Sequence, residues 1–214
     1  MATRSPLAIA IAVLTVAAAG CGSSGRSSTA ASPASSSAAS SSSAPGGAAP
    51  GAGALTAEAR SVATGDIPDN QVFLTFHNTT SRYSIKFPEG WTQKGSGGDV
   101  TFSEKNNLVH TVVGPGAQPT AASVGAELAR LKAATPSISF TSPVSAHVTA
   151  GSAIKSTYTT RSAPNPVTGK RVELIVDRYE LANAGRRAIV DLATAHGVDN
   201  VDAYRMMINS FRWQ

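Results

Sequence analysis

One stretch constrains this chain more than any other. Residues 22–54 are 33 positions, and 31 of them are Ser, Ala, Gly or Pro; only Arg26 and Thr29 interrupt the run. Such a segment carries no large apolar side chain, so burial cannot offset the entropy of ordering it, and it is expected to be disordered. Of the 214 residues, 160 follow it. That is enough for one domain with a substantial core and too few for two ordinary ones. The formal charge of +5 includes Arg4 and Arg26, which precede the candidate domain, so the remainder carries +3. No basic stripe with interleaved aromatics accompanies that charge, which argues against a dedicated nucleic-acid binder. The single cysteine excludes a disulfide framework and a cysteine-rich metal site.

That cysteine has a telling position. Arg4 gives a short positive start, and residues 6–19 form an uncharged, mostly apolar run. Fourteen such residues make about 21 Å of helix, short of the roughly 30 Å hydrocarbon core, so they suit a signal sequence better than a permanent span. The run ends in Ala18-Ala19-Gly20-Cys21. Small residues directly before a cysteine resemble the lipobox of bacterial lipoproteins, although Ala18 stands where Leu is commonest. The resemblance implies diacylglycerol on the Cys21 thiol and cleavage just before it. The chain then divides into a signal peptide over 1–20, a lipidated Cys21 with tether and lead-in over 21–69, and a domain over 70–214. A flexible tether of 33 residues reaches roughly 30 Å on r.m.s. average and on the order of 110 Å at its contour limit. The expected location is the extracytoplasmic face of a cell membrane, lipid-anchored. High Ala and Gly content would suit an actinobacterial genome.

Within the domain the hydrophobic period identifies the elements. A short helical turn is expected over 55–64, stopped by Gly65 and Pro68. Val72, Leu74 and Phe76 alternate, as do Tyr83, Ile85 and Phe87, and the polar stretch between them predicts a hairpin. Gly95-Ser96-Gly97-Gly98 predicts a flexible turn into Val100 and Phe102, followed by a strand over 108–113. Val124, Leu128 and Leu131 share one face of a helix over 120–135, ended by Pro136. Strands are expected over 140–148, 153–160, 172–181 and 187–195, with turns at Asn165-Pro166, Thr168-Gly169 and Asn183-Ala184-Gly185. A last helix begins at an Asp199 N-cap and buries Val201, Tyr204, Ile208 and Phe211. Four strands, a helix, four strands and a helix, with antiparallel hairpins, is an α+β layout.

Tyr83-Ser84-Ile85-Lys86-Phe87-Pro88-Glu89-Gly90-Trp91 resembles the Y-x-I-x-F-P-x-G-W signature of PsbP-like domains, and Ser210-Phe211-Arg212 resembles their ending. The whole layout is similar to actinobacterial lipoproteins of the mycobacterial LpqN/LpqT type. The resemblance implies an α-β-α sandwich around a mainly antiparallel sheet, used for binding or assembly, with no shared active site and no cofactor. The expected function is a non-enzymatic binding or scaffold module that engages an unknown envelope protein or lipid-linked partner. The alternative is a carrier of a lipid or other amphiphile in an internal apolar cavity. A small hydrolase using Asp191 and His196 ranks third.

The chemistry-bearing residues are sparse. No P-loop, G-x-S-x-G, H-E-x-x-H or C-x-x-C occurs. His77, His110, His147 and His196 lack ligand spacing, although two of them with Asp191 or Asp199 are the residues a metal site would recruit; the spacing predicts none. Trp91 and Trp213 are expected to supply core area and not a ligand groove. Lys170-Arg171 and Arg186-Arg187 could meet as a basic corner for phosphate headgroups, against the plainer expectation of a solvated hairpin tip.

Overall fold

The computed structural model describes residues 65–214. Cys21, the tether and the helical turn expected over 55–64 lie outside those residues. Eleven strands and two helices follow in the order β1 (Phe73–Asn78), β2 (Tyr83–Pro88), β3 (Thr92–Ser96), β4 (Asp99–Glu104), β5 (Asn107–Pro115), α1 (Ala121–Ala134), β6 (Ser139–Phe140), β7 (Val144–Val148), β8 (Gly151–Arg161), β9 (Glu173–Asn183), β10 (Arg186–Ala195), α2 (Val201–Ser210) and β11 (Arg212–Trp213). Every strand pairing is antiparallel. The expected α+β class and mainly antiparallel sheet are found.

The strands form two sheets where the sequence suggested one. The larger has eight strands, with path β3-β4-β5-β10-β9-β8-β6 and β7 also paired to β8; the smaller is β1-β2-β11. The segment expected as one strand over 140–148 is two, β6 and β7, set against different parts of β8. β3 was not foreseen, because all five of its residues are exposed and it has no apolar alternation. Backbone pairing to β4 holds it. Gly98, in the turn between them, lies where a Cβ would stand 2.4 Å from the Val113 carbonyl oxygen, so no other residue fits without movement. The β9–β10 hairpin turns on two residues, Ala184 (φ 49°) and Gly185 (φ 75°), the positive-φ pair that matches strand twist.

The two helices belong to different clusters of buried side chains. In β10, Ala188, Val190 and Leu192 join Tyr204, Met207 and Ile208 of α2, while Ala193 joins Val124 and Leu128 of α1. Successive strand residues face opposite ways, so α1 and α2 lie on opposite faces of the large sheet. The α2 face also receives the small sheet. Phe76 and Phe87 pack on Phe102 of β4 at ring separations of 5.1 and 3.9 Å, and Tyr83 stacks on Phe211 at 5.4 Å.

α1 starts at a capping box. Thr120 Oγ1 accepts from the Ser123 amide at 3.1 Å, and Ser123 Oγ accepts from the Thr120 amide at 3.0 Å. α2 departs from expectation in two ways. Its N-cap is Asn200 and not Asp199, and the Asn200 side chain makes no capping bond. It is drawn inward instead: Nδ2 donates to Thr194 Oγ1 (3.0 Å), Asn107 Oδ1 (3.1 Å) and the Gly65 carbonyl (3.2 Å), and Oδ1 accepts from the Ile67 amide (2.8 Å). Asp199 accepts only from the Val201 amide, at 3.2 Å. Val201, expected in the core, is 59% exposed, and Met207 is buried in its stead. Tyr204, Met207, Ile208 and Phe211 make an i, i+3, i+4, i+7 face. One turn earlier that face overhangs an unfilled cleft, which leaves Val201 at its rim. Phe211 is fully buried as the C-cap residue, and Arg212 is exposed, as expected.

Candidate functional site

Two concavities flank α2. A cleft of about 220 Å³ opens between the helix and β8–β10, with Ile175, Leu192, Val198 and Tyr204 among its walls and Lys155 and Arg205 at its polar edge. Lys155 bridges to Asp177 at 2.8 Å and lies 5.4 Å from the centre of the Tyr179 ring. Burial pulls its ammonium down, but the Asp177 carboxylate outweighs that and raises it overall. A wider, more polar recess of about 540 Å³ lies between the N-terminal part of α2 and residues 66–69, bordered by Asp66, Asp69, Asp199, Asp202, Phe73 and Met206. Among the described residues, no group of three or more His, Cys, Asp or Glu side chains is placed to hold a metal ion.

The opposite face of the sheet carries the densest concentration of charge. Arg178 Nε and Nη2 each donate to Asp191 at 2.7 Å, and the Tyr158 hydroxyl donates to Asp191 Oδ2 at 3.3 Å. The Arg178 guanidinium also lies 5.3 Å from the Tyr158 ring centre. Burial lowers the Arg178 guanidinium, the Asp191 carboxylate raises it, and the net direction is up, so the guanidinium is held charged. Tyr158 stays a phenol, pushed up first by burial and then by Asp191. Beside this pair, Arg187 forks onto Glu127 of α1 at 2.9 and 2.8 Å and also contacts the fully buried Glu180. Cross-strand register puts Arg178 directly opposite Asp191. The turn foreseen at Asn183-Ala184-Gly185 carried that signal, since counting back from a two-residue loop pairs these two positions. Sequence reasoning missed the pair because it weighed Asp191 only as a ligand or catalytic carboxylate.

The histidines share no hydrogen-bond partner among the described residues. His110 Nε2 meets Asp99 Oδ1 at 2.8 Å, and His77 Nδ1 meets the Gln214 side chain at 2.9 Å. His147 is exposed on β7, and His196 is exposed just past β10 with its amide donating to the Glu173 carbonyl. No hydrogen bond joins His196 to Asp191, whose carboxylate is occupied by Arg178 and Tyr158. The basic corner does not form either. Lys170-Arg171 precede the 11-residue β9, about 33 Å long, while Arg186-Arg187 pair beside its other end. Arg186 instead donates to the carbonyls of Ser81, Arg82 and Gln214 and covers the Trp213 ring at 4.9 Å. Trp91 is buried in the α2-side core, and Trp213 meets Phe211 edge to face at 5.1 Å.

The sequence matches no protein-family profile and no curated protein. Among solved structures, the solution structure of cyanobacterial PsbP (CyanoP) from Synechocystis sp. PCC 6803 is similar at a TM-score of 0.47 and 16% identity, over 70% of this chain and 98% of that one. A crystal structure from Bacteroides thetaiotaomicron VPI-5482 is similar at a TM-score of 0.42 and 12% identity, over 65% of this chain. This chain spans about half of that protein, 48% of its length. No residue role is carried to this chain from either likeness.

Proposed function

We propose that this chain is a lipid-anchored envelope protein whose PsbP-like α-β-α domain is a non-enzymatic binding or scaffold module. The anchor is a diacylglyceryl Cys21, the tether is residues 22–54, and the partner is an envelope protein or a lipid-linked molecule at the extracytoplasmic membrane face. The observation that carries the binding reading is the use made of the ionisable groups. Asp191 is spent on Arg178, Glu127 and Glu180 on Arg187, Asp177 on Lys155 and Asp99 on His110. Of these groups only the Lys155–Asp177 pair borders a cleft, the narrow one beside α2, and the rest tie elements together, which is the arrangement of a scaffold. The quoted signature residues support the same reading. Tyr83, Ile85 and Trp91 are buried and Phe87 is half-buried, so the motif is a packing motif.

The cleft beside α2 bears on the carrier alternative. Its volume of about 220 Å³ falls below the roughly 300–1,000 Å³ of ordinary small-molecule sites, and so favours contact with a side chain or headgroup over enclosure of an acyl chain. Metabolic labelling with an alkyne palmitate analogue tests the anchor: wild type should label and Cys21→Ala should not, and equal labelling of both sinks the assignment. Native mass spectrometry of the Cys21→Ala chain tests the carrier. A stoichiometric co-purifying lipid would move the function to carriage.

A further inference from the structure

The buried charge cluster under α1 holds one carboxylate more than it has guanidiniums. Glu180 is fully buried in β9, and its Oε1 has no hydrogen-bond partner. Arg187 of β10 faces it, and Glu127 of α1 reaches the same guanidinium. Along its own strand stands Arg178, already engaged by Asp191 of β10. The neighbouring β8 positions on this face, Ile154 opposite Glu180 and Ser156 opposite Arg178, bring no charge. Tyr158, also from β8, is neutral, and His110 of β5, opposite Asp191 on this face, is bonded to Asp99. Three carboxylates therefore meet two guanidiniums, and two of the three carboxylates compete for Arg187.

We propose that Glu180 is a buried proton-accepting site that sets how firmly α1 is held on the sheet. When Glu180 takes a proton from solvent, its claim on Arg187 weakens. The guanidinium then pairs wholly with Glu127, the side chain through which α1 reaches the sheet's charges. When Glu180 is ionised, Arg187 is shared and α1 is held less tightly. The helix suits such control, because its own apolar attachment is small: only Val124 and Leu128 are fully buried.

The electrostatics point the same way. Burial pushes the Glu180 carboxyl up, Arg187 partly opposes this, and Glu127 adds to the rise. Arg187 keeps its charge, since its two carboxylates outweigh the effect of burial. A carboxyl raised in the folded state binds a proton that the unfolded chain, near the ordinary value of about 4.3, does not. Stability therefore increases as pH falls through the value for folded Glu180 and decreases as pH rises through it, the reverse of ordinary acid denaturation.

Amide exchange over residues 121–134 of the full-length chain, corrected for intrinsic rates between about pH 8 and about pH 5, tests this directly. Protection of α1 should increase on acidification, by at most about tenfold per pH unit for a single proton. In Glu180→Gln, which mimics the protonated group, protection should be high and independent of pH. A flat wild-type profile, or the same slope in Glu180→Gln, overturns the proposal. If the variant does not fold, the side-chain carboxyl carbon resonance of Glu180 in wild type decides. A midpoint above the ordinary glutamate range supports the site, and one within that range removes it.

Discussion

On the α2 face of the large sheet, rings stack in series from Phe87 and Phe102 through Phe76 and Tyr83 to Phe211 and Trp213, with Met207 and Ile208 closing the layer. On the α1 face, the helix buries only Val124 and Leu128 fully, and two arginines and three carboxylates occupy ground that would otherwise be apolar. The faces differ in what holds them. Apolar contact is non-directional and additive over area, so the α2 face gains from every ring. Buried ion pairs return little net stability once desolvation is counted, but they are costly to break on one side only. The α2 face is therefore the one that stabilises the domain. The α1 face is the one that fixes how a lightly attached helix is placed.

The comparison is broken most directly by removing Phe211. Its side chain is fully buried between Tyr83 and Trp213, so Phe211→Ala should lower stability by about 4 kcal/mol in urea titration. That is a large share of the roughly 5–15 kcal/mol typical of a domain. A loss below about 1 kcal/mol would mean that the small sheet and α2 are not docked through this residue. Asp191→Ala comes next, at about 3 kcal/mol, because it leaves Arg178 buried and unpaired. Replacing both partners together, Arg178→Met with Asp191→Leu, should recover most of that loss. If the double variant were as unstable as the single one, the pair would be contributing true net stability and the two faces would be held in the same way. At the small end, Arg212→Ala and Val201→Ala should each cost about 0.5 kcal/mol or less, since both side chains are exposed. A larger effect at Val201 would show the cleft beside α2 to be closed in solution.

Several elements were readable because their signals are local. The Val124-Leu128-Leu131 spacing and Pro136 together define α1, and the structure adds the Thr120–Ser123 capping box at its start. Tyr83, Ile85 and Phe87 state their inward face by alternation alone. Phe211 was readable as a core residue, but its helical neighbours were only partly so: Val201 has the right spacing and the wrong surroundings. β3 had no sequence signal, since its backbone and not its side chains joins the sheet. The site residues were harder still. Arg187 and Glu127 are 60 positions apart, and nothing near either one names the other.

The sequence by itself determined the order and type of most elements, the β9–β10 turn, the apolar face that ends at Phe211 and, as an expectation, the anchoring cysteine ahead of the domain. Turn geometry, caps and periodicity act over a few residues, so the information lies where the structure uses it. Tertiary structure alone decided that the strands divide into two sheets, and that Arg212–Trp213 returns as a strand beside β2. It also decided that Asn200 turns inward to hold Gly65 and Ile67, and that Glu180 is sealed beside an arginine already claimed by Glu127. Each of these depends on which faces meet across long separations in the chain. Burial then sets the energy of the polar groups caught between them, and burial is a property of the assembled fold.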